Sequence, residues 1–426
     1  MARKTLLKKF KFTKKIRSAD FLRFLPEKGK KELLKQASYL RGKKVAHVNA
    51  TAVGGGVAEI LKSLIPYLRA LGVESNWYYM DSAVGKDFFG ITNKIHNALQ
   101  GAAIKINNKE WAEYERVSKA VAIELNNINC DVLAINDPQL LLAGFYSRIK
   151  GKVLFSHIDT SAVFEPVWGK LSPFVKPYHK TVFSNRDFIC NGFPRNKVKI
   201  FTPAIDPLSP KQEIVFKEKA RLYLKKHGGV PIDGPLIVQV SRFDVWKNPV
   251  GVVEAFRIIQ NTYPKAYLAL IGFNEAYDNP LAGGVYRDIK GIVEKSPEIF
   301  MFFNPKNKNI LKFTSMAQNA ADIVMQNSIK EGFGLVVTEA MWKRQPVIGG
   351  PASGIRKQII NNKNGFIAKN SEELAQRALF LLANYKKKKK MGEEARKTVF
   401  RKFLFPRFIL DHLKLYRSCL IKSAKK

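Results

Sequence analysis

The sequence predicts an α/β protein of two consecutive doubly wound domains. Near the start, an apolar stretch runs through a triple-glycine turn into an amphipathic helix, spanning residues 43–72. A proline-bearing segment, Thr202–Pro210, interrupts the chain near its middle. Beyond it a second series of strands alternating with helices begins afresh. Single strands alternating with helices are the pattern of a parallel sheet covered on both faces.

The elements are expected in this order. The basic leader, residues 1–19, interleaves Lys8, Lys9, Lys11, Lys14, Lys15 and Arg17 with Leu6, Leu7, Phe10, Phe12 and Ile16. That composition suits a disordered leader or a basic helix lying on an anionic membrane. Regular structure is expected from about Asp20. Lys43–Asn49 reads as a strand, and Val57, Ile60, Leu61, Leu64, Ile65 and Leu68 recur at helical spacing, with a kink expected at Pro66. Further strands are expected at Val73–Tyr79, Val132–Asn136, Lys152–Phe155, Lys180–Phe183 and Lys197–Ile200, with a helix over Trp111–Asn126. Ligands of such sheets collect beyond the carboxyl ends of the strands, so Asn49, Asp137 and His157 are expected to face one crevice.

The second series reads as strands Leu236–Val240, Tyr267–Ile271, Ile299–Phe303, Ile323–Gln326 and Pro346–Ile348, with helices over Val250–Gln260 and Asn309–Ala317. Residues 20–205 and 206–404 are therefore two Rossmann-like domains with a hinge and a cleft between them, and the apolar helix within 405–426 is expected to cross back to the first.

Hydrophobic residues make up 46% of the 426, which indicates a folded protein. No apolar run reaches the roughly 18 residues of a bilayer-spanning helix. Three scattered cysteines, Cys130, Cys190 and Cys419, fit a reducing cytoplasm. The formal charge of +38 is compatible with a lysine-rich or salty cytoplasm or with peripheral contact with an anionic membrane. Nucleic acid is not an expected partner, because charge is unaccompanied by any zinc-finger, helix-turn-helix or RNA-recognition pattern. Lys386–Lys390 reads as a solvated helix end.

Four groups of residues carry candidate chemistry. Glu331-Gly332-Phe333-Gly334-Leu335, followed by Glu339, lies between a strand and a helix start, where free backbone N–H groups favour an anion such as a diphosphate. The two carboxylates would be about 12 Å apart along a helix axis if both were helical. A carboxylate at a helix start and a surface ion pair explain them equally well. Arg242 and Lys247, after the strand Leu236–Val240, can neutralise phosphates, although the chain carries 73 Lys and Arg in all. Gly54-Gly55-Gly56 lacks the spacing of dinucleotide and P-loop motifs and suits a plain tight turn as well as a ligand cradle. His157 and Asp159, after the strand Lys152–Phe155, can meet an acceptor hydroxyl or be structural.

Together these residues resemble the retaining GT-B glycosyltransferases of the group 1 family. Glu331 and Glu339 match its Glu-x7-Glu element, Arg242 and Lys247 its donor-phosphate pair, His157 its mid-domain histidine, and Gly54–Gly56 its glycine loop. The runs HVNATAVGGGVAEIL, FFGITNKIHNALQG, HIDTS and KEGFGLVVTEAMWK resemble more narrowly the trehalose-forming synthases of that family.

The resemblance implies transfer of glucose from a nucleotide donor, ADP-glucose or UDP-glucose, to free glucose, with no bound cofactor or metal. A membrane-associated enzyme with a lipid or glycan acceptor is the alternative. Donor contacts are implied for Gly55, Gly56, Arg242, Lys247, Gly332, Phe333, Gly334, Leu335 and Glu339. Acceptor contacts are implied for Asn49, Asn97, His157 and Asp159, and direct participation in transfer for Glu331, Arg242, Lys247 and His157. The first domain would take the acceptor and the second the donor; oligomeric state is open, a homodimer included.

Overall fold

The computed structural model describes residues 5–13, 15–52, 55–243, 245–272, 282–303 and 310–423. Val53 and Gly54 of the glycine turn, Lys14 of the leader, Asp244 and Asn309 lie outside them. The chain divides into one unit of Met1–Thr202 with Phe405–Lys426 and a second of Pro203–Leu404.

Among the described residues, seven strands build the first unit: β1 (Leu7–Lys9), β2 (Lys44–Asn49), β3 (Glu74–Met80), β4 (Val132–Asn136), β5 (Lys152–Ser156), β6 (Lys180–Phe183) and β7 (Val198–Ile200). Their spatial order is β1-β3-β2-β4-β5-β6-β7, parallel throughout except for β1. β4 and β5 are buried along their whole length, as continuous apolar runs between helical layers must be. The helix Gly55–Ala70 continues through Pro66. A helix Lys86–Leu99, not anticipated from periodicity, puts Phe88, Ile91, Ile95 and Leu99 into the same core.

The expectation for the leader is corrected by the structure. Regular structure starts at Leu7, where β1 pairs antiparallel with β3, Leu7 opposite Met80. The N–H groups of Leu6 and Leu7 donate to the Glu124 carboxylate at 2.8 and 2.9 Å. Phe10 stacks on Trp77 with ring centroids 4.4 Å apart. Leu7, Phe10 and Phe12 of the leader lie against this unit's own sheet edge.

The last helix, Phe405–Ser423, belongs to this first unit, packed on the helices Glu27–Ser38 and Gly55–Ala70. Its Tyr416 hydroxyl lies 2.9 Å from His47 Nε2, and its His412 ring stacks on Phe155 at 5.2 Å. Burial pushes His412 down to about 3 and His47 well below the usual imidazole range, so both are neutral core groups.

Among the described residues, six parallel strands form the sheet of the second unit: β8 (Leu236–Val240), β9 (Tyr267–Gly272), β10 (Ile299–Phe303), β11 (Ile323–Gln326), β12 (Val347–Gly349) and β13 (Gly365–Ile367), in the order β10-β9-β8-β11-β12-β13. Just before β11, Asp322 binds Lys217, Arg221 and Lys388, and a main-chain N–H, that of Leu236, donates to it at 3.0 Å. Against the burial that opposes its charge, Lys217 and Lys388 hold its carboxyl at about 2. Lys388, inside the lysine run 386–390, is thus structural rather than merely solvated. The unit's two ends meet: Ile205 bridges to Leu404, and its N–H donates to the Phe403 carbonyl at 2.9 Å.

Candidate active site

In each unit the candidate residues sit at the carboxyl edge of its own sheet. In the first unit, Asn49 closes β2, Asn136 closes β4 and His157 follows β5. Asn49 is buried and engaged internally, donating to the Thr51 carbonyl and accepting from the Trp77 indole, each at 2.6 Å. Asp137 leaves β4 at φ 65°, ψ 156°, a backbone region that costs a side-chain-bearing residue about 1–3 kcal/mol. Its N–H donates to the Phe155 carbonyl at 2.7 Å, and its carboxylate accepts from the His157 N–H at 2.8 Å. His157 as a residue is half-buried. Its Nε2 lies 3.2 Å from Asn136 Oδ1. Burial lowers its pKa, with the Asp137 charge opposing. Asp159 is half-buried and turns the chain by accepting from the Ser161 N–H at 2.9 Å. Asn97 is exposed on the helix Lys86–Leu99, next to His96, whose Nδ1 lies 3.3 Å from Gln139 Nε2. Gly55 and Gly56 open the helix Gly55–Ala70, and a methyl group built on Gly56 would meet nothing within 4 Å.

In the second unit, β8 leads through exposed Arg242 to a tight turn at Val245–Lys247 and then to the helix Pro249–Thr262. Asn248 caps that helix, its side-chain oxygen accepting from the Gly251 N–H at 3.2 Å, with proline in the first helical position. Lys247 reaches the loop after β11, placing Nζ 2.8 Å from Glu331 Oε2 and 3.4 Å from the Lys330 carbonyl. Lys330 in turn sits over the Trp246 ring at 4.4 Å, and the Ile329 N–H donates to the Trp246 carbonyl at 2.8 Å. Consecutive residues of one loop therefore pair with consecutive residues of the other.

Glu331 precedes the helix rather than lying in it, so the 12 Å helical separation does not apply. The helix runs Leu335–Trp342, with Gly334 as its cap at φ 82°. A side chain on Gly334 would be strained there and would stand 3.1 Å from Glu331 Cγ. Gly354 passes so close that a Cβ would lie 2.6 Å from the Glu331 carbonyl and 2.7 Å from that of Gly332. Gln358, almost fully buried, fixes the turn: its amide donates to the carbonyls of Phe333, Gly334 and Gly354, and its oxygen accepts from Thr338 Oγ1 at 2.5 Å. Gly334 brings no side chain to cap this helix start; the Val337 N–H donates to the Gly334 carbonyl at 2.9 Å, and the N–H groups of Leu335 and Val336 stand before it at the positive end of the helix. The ring of Phe333, also buried, packs on Phe403.

Glu339 is 3% exposed, which removes the surface-pair explanation. Its Oε1 lies 2.8 Å from Lys211 Nζ, while Oε2 is buried without a hydrogen-bond partner. One turn on, the buried Lys343 places its ammonium 3.0 Å from Gln318 Oε1 and 3.4 Å from Gln212 Oε1. Burial brings its pKa down to about 7, against the pull of the Glu339 charge. Asn136, Lys211, Lys343 and Gln358 are additions to the residues singled out in the sequence. Only Asn136 carried a signal, as the polar end of an apolar strand before Asp137-Pro138. Among the described residues, no helix is long and apolar enough to cross a membrane.

Residues 47–190 match the model of the trehalose synthase N-terminal domain, and residues 223–398 that of group 1 glycosyl transferases. A trehalose synthase of Rubrobacter xylanophilus is 35% identical over 91% of this chain and 94% of its own. Another, of Pyrococcus horikoshii, is 32% identical over 94% of this chain and 95% of its own. A structure described as trehalose-6-phosphate from E. coli bound with UDP-2-fluoro glucose superposes with a TM-score of 0.68 at 14% identity, over 90% of this chain and 99% of that one. The two doubly wound sheets give the GT-B fold, and the family matches make the chain a glycosyltransferase of that fold. Within that class, the chain belongs to the trehalose synthase family.

Proposed function

We propose that the chain is a retaining glucosyltransferase that moves glucose from ADP-glucose or UDP-glucose to free glucose, forming trehalose. The observation that carries this reading is the Lys247–Glu331 pair at the head of the Gly334 turn. It sets a cation beside a carboxylate next to uncapped helix N–H groups, a combination suited to a sugar diphosphate. In this reading Arg242, Lys247 and the amides after Gly334 hold the diphosphate, and Glu331 takes hydroxyls of the transferred glucose. Glu339 offers its unpartnered Oε2 to the ribose. In the first unit, His157, Asp159, Asn97 and Gly55–Gly56 address the transferred sugar and the acceptor, while Asn49 shapes the turn behind them.

The bond from the sugar C1 to the phosphate oxygen breaks with its electron pair leaving on the diphosphate, whose charge Arg242 and Lys247 balance. The acceptor oxygen bonds C1 from the same face, and its proton passes to the departing phosphate oxygen. No protein nucleophile is needed, unlike the double-displacement route of retaining glycosidases.

The test is a product assay by NMR, with each nucleotide donor, and α-glucose 1-phosphate in a parallel arm, offered with glucose. A non-reducing α,α-linked disaccharide from a nucleotide donor, lost in folded Glu331→Ala and Arg242→Ala variants, is the expected result. The same disaccharide from glucose 1-phosphate alone would overturn the donor, and nucleotide release without it would overturn the acceptor.

A further inference from the structure

Asn136 holds a place in the first unit that the motifs do not account for. It is 3% exposed, at the last position of β4, and its side chain faces three groups. Nδ2 lies 3.2 Å from the Val48 carbonyl and 3.3 Å from the Ala134 carbonyl, and Oδ1 lies 3.2 Å from His157 Nε2. The two carbonyls decide which end of the amide points where. Turned over, the amide would set its oxygen against two carbonyl oxygens and forfeit both bonds. With Oδ1 facing the ring, Nε2 must carry the proton for the 3.2 Å contact to be a hydrogen bond. Nδ1 then keeps its lone pair, and no protein donor meets it among the described residues.

We infer that Asn136 is a positioning residue that locks His157 as the Nε2–H tautomer, presenting the Nδ1 lone pair as a fixed acceptor for a sugar hydroxyl. The sugar as ligand rests on the function proposed above; the tautomer does not. Two further contacts support a fixed ring: the His157 N–H is tied to the Asp137 carboxylate, and Phe155 stacks on the imidazole with centroids 6.1 Å apart. Burial lowers the ring's pKa and so keeps it neutral, the state in which the two nitrogens differ. A neutral ring with one prescribed acceptor nitrogen discriminates between a sugar that carries a hydroxyl there and one that lacks it.

The experiment is long-range 1H–15N correlation on the full chain labelled at its six histidines, with the His157 signals assigned by their loss in His157→Gln. At pH 7.5 the wild-type ring is expected to show a protonated Nε2 and a bare Nδ1. An Nδ1–H tautomer, or a mixture, would overturn the inference without any variant having to fold. In Asn136→Ala the single tautomer is expected to give way to a mixture. Trehalose formation should then fall about 10-fold or more in kcat, with donor KM changed less than about 2-fold. Retention of the pure Nε2–H form in that variant would also overturn it. If the wild type shows the expected tautomer but forms no trehalose, the proposed function fails and the role of Asn136 stands.

Discussion

Lys247 Nζ and Glu331 Oε2 are 2.8 Å apart although 84 residues separate them, and both side chains are largely buried. One follows β8 and the other β11, and these strands are neighbours in the second sheet. The ammonium is therefore positioned before any ligand arrives, as an electrostatic site requires. Lys247→Ala is expected to lower kcat/KM for the nucleotide donor by about 100-fold or more while the protein still folds. Steady-state kinetics beside a melting curve checks this, and an unchanged kcat/KM would remove Lys247 from the site.

Gly56 has open space where a side chain would project, so packing does not require glycine there. Gly56→Ala is expected to raise Tm slightly, because alanine favours the helix by about 1 kcal/mol. It should nevertheless weaken transfer, since the added methyl would stand where a ligand approaches. Kinetics that match wild type would mean that this turn is only a turn.

Gln358 ties three carbonyls and one hydroxyl into the turn that opens the helix Leu335–Trp342. Gln358→Leu keeps the bulk and leaves those buried groups unpaired, at about 1–3 kcal/mol for each that water cannot reach. A lower urea midpoint and a raised donor KM are expected together. A lower midpoint with unchanged KM would make the amide purely structural.

Lys343 is held near pKa 7 in the fold and near 10.5 when unfolded. Between those values the unfolded chain binds more protons, so its contribution to stability rises with pH across that window. Below pH 7 the buried ammonium is charged in both states and its cost is fully present. Unfolding free energies measured from pH 7 to 10 should climb more steeply in wild type than in Lys343→Met, by up to ~1.4 kcal/mol per pH unit. Parallel slopes would contradict the assignment.

Removing residues 1–12 should expose the edge of β3 and Trp77. Losing buried Leu7 and the Phe10 stack corresponds to about 3 kcal/mol. In a unit of this size that is a Tm lower by roughly 6–12 °C. An unchanged Tm would return this segment to the status of a leader.

What the sequence disclosed depended on how local each cause was. β4 and β5 were legible because a strand buried on both faces must be apolar throughout. β1 was hidden because two of its three residues are lysines, and its pairing comes from β3 and from Glu124, more than a hundred residues away. The carboxylates Glu331 and Glu339 were visible as a motif. Lys247 was visible too, after the strand Leu236–Val240, but its pairing with Glu331 was not, and Lys211, 128 residues before Glu339, had no spacing that announced it. Asn136 could be placed at a strand end, but which end of its amide faces His157 depends on carbonyls of two strands.

The helix Phe405–Ser423 leaves the ribosome after every residue of the second unit, yet Tyr416 and His412 complete the core around His47 and Phe155. Synthesis therefore supplies all of Pro203–Leu404, whose ends are joined by the Ile205–Leu404 bridge, while the earlier unit still lacks its closing piece. The nascent first sheet must wait with an uncovered apolar face, and until the last helix arrives that face is open to misassociation.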